Sequence, residues 1–283
     1  MPIPFFLAMP ELPEVEIAAR SLAPQVIGRI IVGIERLDWE RMVETPELER
    51  FYAILPGRQI LAVGRRAKWI ILSLDRAWSL AIHLRMSGRL SVETADATPR
   101  HHVHLVLALD DGRRICFDDE RKFGRVRLLD PAGLAALDAT HGPEPLADSF
   151  TPLLLAERLA GRRAALKSLL LDQQRIAGLG NIYVNEALWL ARIHPLTLAS
   201  ALEQPAIDAL HSAIRFVLEK AIQNQGSSLR NYRNSYGEQG SNQDHFLVYN
   251  RVDKPCQRCG TPISRIVVAQ RSTYYCPTCQ PWS

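Results

Sequence analysis

The 24 residues CQRCGTPISRIVVAQRSTYYCPTC, positions 256–279, carry four of the five cysteines of the chain. Two residues separate Cys256 from Cys259 and Cys276 from Cys279, and 16 residues lie between the two pairs. Because this spacing lets the thiolates of both pairs reach one tetrahedral centre, it predicts one structural Zn²⁺ ion with a closed Cys₄ shell. A disulfide framework and a redox pair are the alternatives. Both are disfavoured, since the cysteines cluster at one end and no secretory signal is evident.

The segment between the cysteine pairs predicts a β-hairpin. Ile263–Ala269 and Ser272–Tyr275 are rich in β-branched or aromatic residues, which predicts two strands whose tip falls near Gln270 and Arg271. From Arg251 to Ser283 there are five basic residues and one acid, so this tail carries +4, equal to the net charge of all 283 residues. Such a local excess of positive charge indicates a polyanionic partner.

Upstream of the hairpin, the pattern changes near Pro131 from strands to helices. Pro13 and Glu14 predict the start of an N-terminal helix, and residues 29–129 then contain short β-branched or aromatic runs. Helical periodicity follows in Leu153–Leu159, Leu166–Leu171, Ile182–Leu190 and Ile207–Ile222, with Gly226 placed to end the last helix. The fold class predicted is α+β and multidomain: a β-sandwich or barrel with one flanking helix, a helical domain and the zinc hairpin. No uncharged apolar run approaches roughly 18 residues, so an integral membrane protein is excluded.

A glycine-rich turn separates two of the predicted helices. In Gly178-Leu179-Gly180-Asn181 the glycines permit a tight turn, and Asn181 is suited to cap the helix that follows. The free N–H groups of that helix could bind a phosphate, and Arg162, Arg163 and Lys167 add positive charge upstream. An ordinary helix–turn–helix connection is the alternative interpretation.

Two further motifs place a long apolar residue in a polar, turn-prone context. Met86 lies in His83–Gly88, and Phe123 follows Arg121 in Arg121–Gly124. Each residue taken alone is explained by core packing. Together they are typical of wedge residues that enter a base stack when a nucleotide is extruded.

These motifs, in this order, resemble the formamidopyrimidine-DNA glycosylase family, which consists of bifunctional base-excision repair enzymes. The resemblance runs from Met9 to the C-terminus and includes Met9–Glu16, Arg66-Ala67-Lys68 and Gly178–Tyr183 besides the motifs above. It implies an N-terminal catalytic β-sandwich domain over 9–131, preceded by an extension at 1–8. It also implies a helix-two-turn-helix DNA-binding domain over 142–240, with a lesion-capping loop at 226–243, and a zinc finger over 246–283.

The resemblance also implies roles for individual residues. Pro10 is the expected nucleophile, Glu11 its acid/base partner, and Lys68 the proton donor in β-elimination. Arg271 is the expected δ-elimination and phosphate residue, and Glu14 and Glu186 match acidic positions around the active site. The residues expected to contact the DNA backbone are His102, Arg121, Arg163, Lys167 and Asn181. The expected intercalating trio consists of Met86, Arg121 and Phe123.

The chemistry of Pro10 requires a free N-terminal amine. An α-amino group has a pKa of about 8, against about 10.4 for lysine, so more of it is unprotonated at neutral pH. The amide nitrogen of an internal proline cannot act as this nucleophile. We therefore expect the functional chain to start at Met9, with Met9 removed and the extension Met1–Ala8 absent or trimmed.

The region before the zinc hairpin departs from the family pattern. Leu229-Arg230-Asn231-Tyr232 and Gly240-Ser241-Asn242-Gln243 stand where relatives carry other residues, so the preference for oxidised or ring-opened purines is less defined than glycosylase activity itself. An endonuclease VIII-like enzyme for oxidised pyrimidines and a non-catalytic zinc-containing DNA-binding protein are the alternatives. The expected partner is double-stranded DNA with oxidised bases. The expected state is a monomer in the bacterial cytoplasm, without membrane association or an obligatory protein partner.

Overall fold

The structure is a computed structural model that describes residues 9–98, 100–228 and 232–282. The extension at 1–8 lies outside these residues. The chain forms two compact units, described separately here. The N-terminal unit comprises Met9–Ala139 and Gln225–Ser241, and the C-terminal unit comprises Thr140–Asn224 and Asn242–Ser283. Among the described residues, no helix combines the length and the apolar character needed to cross a bilayer.

Within the part of the chain that the structure describes, the N-terminal unit contains a nine-stranded sheet and three α-helices. Its first helix, α1, begins directly after Glu11, and the acids Glu11 and Glu14 form a capping box there. The strands occur in the spatial order β2-β9-β5-β4-β3-β1-β7-β8-β6, and every strand pair except β2–β9 is antiparallel. The helices are α1 (Leu12–Val26), α2 (Leu48–Ile54) and α3 (Pro131–Ala139). The strands are β1 (Ile30–Leu37), β2 (Val43–Thr45), β3 (Arg58–Arg66), β4 (Trp69–Leu74), β5 (Ser79–His83), β6 (Arg89–Glu93), β7 (Val103–Leu109), β8 (Arg114–Asp118) and β9 (Arg125–Leu129).

One core is shared by both ends of this sheet. It contains side chains from α1 and α2 and from strands at either end of the spatial order, such as Leu90 of β6 and Val126 of β9. Leu12, Leu22 and Val26 of α1 are fully buried, so the helix is fixed by its apolar face. The sheet is continuous through the β1–β3 pair, and its two halves bury this common core as the predicted sandwich does.

The described residues of the C-terminal unit form four α-helices and the hairpin. These elements are α4 (Pro152–Leu159), α5 (Leu166–Leu170), α6 (Asn181–Leu190), α7 (Gln204–Gln223), β10 (Ser264–Val268) and β11 (Arg271–Tyr275). All five residues of the apolar face predicted for α7 are buried, namely Ile207, Leu210, Ile214, Val217 and Ala221. The helix ends at Gln223 with Asn224 as its C-cap, so the terminator predicted at Gly226 lies beyond the true end.

Residues 225–241 are placed differently from the sequence-based expectation. The lesion-capping loop was expected within the helical domain, but most of it belongs to the N-terminal unit. The backbone N–H of Ser227 donates to Glu14 Oε1 at 2.7 Å, and the N–H of Ser235 donates to Ser21 Oγ at 3.0 Å. Both acceptors lie on α1. Hydrogen bonds to α1 therefore fix this segment in the N-terminal unit.

Candidate functional site

The four clustered cysteines form a metal site in the C-terminal unit. Their Sγ atoms all lie within 4.8 Å of one another, with Cys256 and Cys279 3.9 Å apart and Cys259 and Cys276 3.4 Å apart. All four are free thiols and not disulfides. A tetrahedral Zn²⁺ with Zn–S bonds of about 2.3 Å requires sulfurs about 3.8 Å apart, so the set fits one zinc ion. Hydrogen bonds from Thr261 lower the pKa of Cys259 to about 6, whereas burial raises the pKa of Cys276 to about 12.

The zinc hairpin presents Arg271 at an exposed position. Ala269 and Gln270 form the two-residue turn between β10 and β11, both with positive φ, and Arg271 pairs with Val268 as the first residue of β11. The sequence placed the tip at Gln270 and Arg271, one residue too far along. A two-residue turn with two positive φ angles matches the right-handed twist of the strands in a hairpin. The sequence did not indicate this turn at Ala269 and Gln270, because neither residue is glycine.

A buried polar clamp holds β11 against α5 and α6. The ammonium of Lys167, which is fully buried, donates to Thr273 Oγ1 at 2.8 Å, Ser272 O at 3.1 Å and Asn185 Oδ1 at 3.3 Å. Asn185 Oδ1 also accepts from the N–H of Tyr274 at 3.1 Å. These bonds attach the strand that begins with Arg271 to two helices. The sequence did not single out Asn185, because its role depends on a residue 89 positions away.

Asn181 belongs to the same clamp and does not cap α6. The helix begins at Asn181 with Gly180 as its N-cap, so the predicted capping role was wrong. Asn181 Nδ2 instead donates to Ser272 O at 3.0 Å, while its Oδ1 is buried without a hydrogen-bond partner among the described residues. The glycine turn is held by Gln173, which accepts from the N–H of Gly178 at 2.9 Å. Arg163, upstream of α5, is exposed.

Glu186 is fully enclosed within the C-terminal unit. Its carboxylate accepts three backbone N–H groups, from Leu247, Val248 and Tyr249, at 2.8, 3.0 and 2.8 Å. Burial raises the pKa of Glu186, and the three N–H groups oppose that rise. The described contacts therefore give Glu186 the role of anchoring the segment that leads into the zinc hairpin.

The nucleophile candidate lies at the start of α1 in the N-terminal unit. Pro10 and Glu11 are both buried, and the N–H of Glu11 donates to Glu14 Oε2 at 3.0 Å. Glu14 Oε1 binds Ser227, and the backbone oxygen of Glu14 accepts from Tyr232 Oη at 2.8 Å. Burial and the charge of Glu14 raise the pKa of Tyr232 well above its usual value, so this hydroxyl remains a donor. Glu14 thus joins the start of α1 to Ser227 and Tyr232, on either side of Leu229, Arg230 and Asn231, which lie outside the described residues.

Lys68 lies in the turn between β3 and β4, where it is only 5% exposed. Arg65 shapes this turn, since its Nη1 donates to Ala67 O at 2.8 Å and Ala67 adopts a φ of +51°. Arg65 Nε also donates to Glu16 Oε2 on α1 at 2.9 Å. One guanidinium therefore connects the helix that follows Pro10 to the turn that carries Lys68.

The predicted wedge residues lie on two neighbouring turns of the same unit. Met86 is half-buried between β5 and β6, and Phe123 is 42% exposed between β8 and β9. The guanidinium of Arg121 stacks over the Phe123 ring at 4.7 Å. The sequence missed Asp119, a fully buried acid to which both turns donate hydrogen bonds. His102 is half-buried, and its backbone oxygen accepts from the N–H of Asp119 at 2.9 Å.

The fold and these sites define a class of protein with a buried proline at the start of a helix, two acids beside it and a Cys₄ hairpin. Family models match three parts of the chain. They are the formamidopyrimidine-DNA glycosylase N-terminal domain at residues 9–126, its H2TH domain at 141–233, and the zinc finger found in FPG and IleRS at 253–281. The chain belongs to the formamidopyrimidine-DNA glycosylase family. The predicted family, fold class and single zinc ion are thereby confirmed.

Several relatives match almost the entire chain. The formamidopyrimidine-DNA glycosylase of Chloroflexus aurantiacus is 64% identical over 272 residues, covering 96% of this chain and 98% of the relative. That of Bacillus subtilis is 42% identical over 276 residues, covering 96% and 99%. Among solved structures, Lactococcus lactis Fpg in complex with abasic-site DNA is 38% identical, with a TM-score of 0.89 and coverage of 96% and 100%. MutM in complex with DNA containing carbocyclic 8-oxo-G has the same identity, TM-score and coverage.

Proposed function

We propose that this protein is a bifunctional DNA glycosylase and AP lyase of base-excision repair that excises oxidised or ring-opened purines from double-stranded DNA. Its family membership, at up to 65% identity to formamidopyrimidine-DNA glycosylases, carries this proposal. Solved relatives are complexes with DNA containing Fapy-dG, an abasic site or carbocyclic 8-oxo-G, which supports the lesion class. The proposed setting is a monomer in the bacterial cytoplasm, supported by the bacterial origin of its relatives.

In the proposed reaction, the secondary amine of Pro10 attacks C1′ of the damaged nucleotide. A C–N bond forms, the bond to the base breaks, and the base leaves with the electron pair and takes up a proton. Glu11, buried beside Pro10, is the proposed proton donor to the ring oxygen as the sugar opens. The resulting iminium acidifies the C2′ proton, so the 3′ phosphate and then the 5′ phosphate can be eliminated.

Lys68 and Arg271 are the proposed partners of the elimination steps. Lys68 has the proposed role of proton donor in β-elimination, and its turn is fixed through Arg65. Arg271 is the proposed phosphate and δ-elimination residue, and its exposed place at the start of β11 leaves the guanidinium accessible. The zinc ion supplies folding energy to the hairpin that carries Arg271.

The remaining proposed DNA contacts differ in accessibility. Arg163 is exposed and His102 is half-buried, which suits contact with a phosphate. Asn181 is half-buried and donates to Ser272 O, and we propose that it contacts the DNA backbone beside Arg271. The ammonium of Lys167 is fully buried and bound to Ser272 and Thr273, so we propose that Lys167 acts on the DNA backbone only by positioning the strand that begins with Arg271.

The proposal is tested by borohydride trapping on a duplex with one 8-oxoguanine opposite cytosine. Chain whose N-terminus has been sequenced as Pro10 should form a covalent adduct that peptide mapping places on Pro10. Protein that retains residues 1–9 should form none, because its proline nitrogen is an amide. Pro13→Ala is the matched control, since it changes a proline of the same helix start and keeps the free amine.

Three outcomes would contradict the proposal in different ways. Trapping on another amine, or equal trapping by the extended chain, would refute Pro10 as the nucleophile. Preference for an oxidised pyrimidine over 8-oxoguanine in the same assay would favour the endonuclease VIII-like alternative. Binding of lesion DNA without any adduct would favour a non-catalytic damage-binding protein.

A further inference from the structure

Asp119 connects the two turns that carry the predicted wedge residues. It is fully buried, and its Oδ1 accepts from Ser87 Oγ at 2.5 Å and from the N–H of Arg121 at 3.3 Å. Its Oδ2 accepts from the N–H of Gly124 at 2.6 Å. Ser87 adjoins Met86, while Arg121 and Gly124 bracket Phe123. One carboxylate thus holds the turn of Met86 and the turn of Phe123 through hydrogen bonds to both.

The two turns are also pressed against the same aromatic ring. A Cβ on Gly88 would lie 2.7 Å from Phe117 Cε2, and a Cβ on Gly124 would lie 2.5 Å from Phe117 Cζ. Phe117 itself is fully buried in the core of the N-terminal unit. Both glycines therefore approach this buried ring so closely that a side chain at either position would displace the turn or the ring. The carboxylate of Asp119 resists outward movement, because three donors would lose a charged acceptor.

The outer ends of the same turns have the opposite character. Phe123 is 42% exposed, its ring covered on one side by the Arg121 guanidinium, and Met86 is half-buried. Unstacking costs a few kcal/mol per base step, and side chains that separate stacked bases must offset this free energy. An exposed apolar side chain can separate stacked bases only if the turn that carries it does not deform. Hydrogen bonds that hold the turn rigid are suited to this task.

We propose that Asp119 is a positioning residue that holds the Met86 and Phe123 turns as one rigid wedge for the extrusion of a stacked, paired lesion. This inference rests on the proposed function. Asp119 acts through the wedge and touches no reacting atom. Its loss should therefore slow steps that need base extrusion and leave chemistry on a sugar without a base almost unchanged.

The test compares two substrates with Asp119→Asn. The amide keeps the size of the side chain but is neutral and offers one acceptor oxygen in place of two. Both turns therefore lose a charged acceptor, and the donors on one side of the group face an NH₂ in place of an oxygen. Single-turnover excision of 8-oxoguanine paired with cytosine should fall at least tenfold. Strand cleavage at a preformed abasic site should change less than threefold. The matched control is Asp118→Asn, the adjacent acid, which faces Arg100 at 3.9 Å; it should leave both rates near wild type.

A double-mutant cycle identifies the route of the effect. If Asp119 acts through the wedge, Phe123→Ala should slow excision of the paired lesion, and adding Asp119→Asn should slow it little further. In Asp119→Asn, the rise in fluorescence of a 2-aminopurine placed next to the lesion should be slowed to the same extent as excision of the paired lesion. Ser87→Ala removes only the hydroxyl that joins the turn of Met86 to Asp119. It should slow excision of the paired lesion by a smaller factor and leave cleavage at the abasic site unchanged. This variant provides the test if Asp119→Asn impairs folding.

Two results would overturn the inference. Equal losses on the paired lesion and the abasic site would make Asp119 a purely structural residue, and so would additive effects with Phe123→Ala. These results are distinct from failure of the proposed function, which would appear as the absence of a trapped adduct with the wild-type protein.

Discussion

The link between Glu16 and Arg65 provides a sharp test of how α1 is coupled to the turn that carries Lys68. Glu16 lies on α1, its side chain is 21% exposed, and its Oε2 accepts from Arg65 Nε at 2.9 Å. Arg65, whose side chain is 9% exposed, also holds Ala67 O. Desolvation raises the pKa of Glu16, but hydrogen bonds and charges from Arg65 and Arg20 outweigh it, so the pKa lies below its usual value.

Replacing Glu16 with glutamine keeps the shape of the side chain and removes its charge. A hydrogen bond to a charged group contributes about 1.5–3 kcal/mol and a neutral one about 1 kcal/mol, so the unfolding free energy should fall by about 0.5–2 kcal/mol at pH 7. For a unit of this size, that corresponds to a Tm decrease of about 1–8 °C. The rate of β-elimination should fall by about tenfold, because the turn of Lys68 loses one of its attachments to α1.

The effect should depend on pH with a defined sign. A carboxyl whose folded-state pKa is lowered contributes stability above its unfolded pKa of about 4.5, and this contribution is lost as the pH falls through the folded value. Because glutamine does not titrate, the difference between wild type and Glu16→Gln should be full at pH 7 and shrink below about pH 4.5. Urea unfolding followed by circular dichroism at several pH values measures it.

The matched control is Glu35→Gln in the same unit. Glu35 pairs with Arg114, but its side chain is 40% exposed, so its loss should cost less than about 1 kcal/mol. If both variants lost equal stability, or if the Glu16→Gln difference did not depend on pH, the argument that a shielded ion pair joins α1 to the Lys68 turn would be refuted.

Two further predictions concern the C-terminal unit. Glu186→Ala removes the acceptor of three buried N–H groups, and each unsatisfied group costs about 1–3 kcal/mol. The unfolding free energy should therefore fall by at least about 3 kcal/mol, and amide-exchange protection at residues 247–249 should be lost. Retained protection at these residues would contradict the anchoring role. Zinc chelation should release one metal ion per chain and abolish DNA binding. It should also remove amide-exchange protection from residues 256–279, while the amides of the sheet in the N-terminal unit stay protected. Simultaneous loss of protection in the sheet would show that the metal energy is not local.

Helices and strands with strong local patterns were predictable from the sequence. The four predicted helices of the C-terminal unit correspond to α4–α7, and the strongest β-branched runs became strands of the sheet. Shorter or weakly patterned elements were not. β2 has three residues and pairs in parallel with β9, while α3 contains Gly133 and buries only Leu137. Such elements form because neighbouring strands and the core accept them, and this information is not local.

The candidate sites divide in the same way. The spacing of Cys256, Cys259, Cys276 and Cys279 was enough to predict their convergence, because two-residue loops restrict where thiolates can point. Asp119, Asn185 and the Glu16–Arg65 pair were missed. Their partners lie 32, 89 and 49 residues away, so no local pattern distinguishes these side chains from ordinary polar ones.

The sequence by itself determined the family and the metal ligands, since motif spacing and residue chemistry suffice for these. Only the tertiary structure decided which unit holds residues 225–241, where the hairpin turns before Arg271, and how the two wedge turns are joined. The physical reason is that these features depend on hydrogen bonds and close packing between distant segments. Such contacts form only when the folded chain brings the segments together.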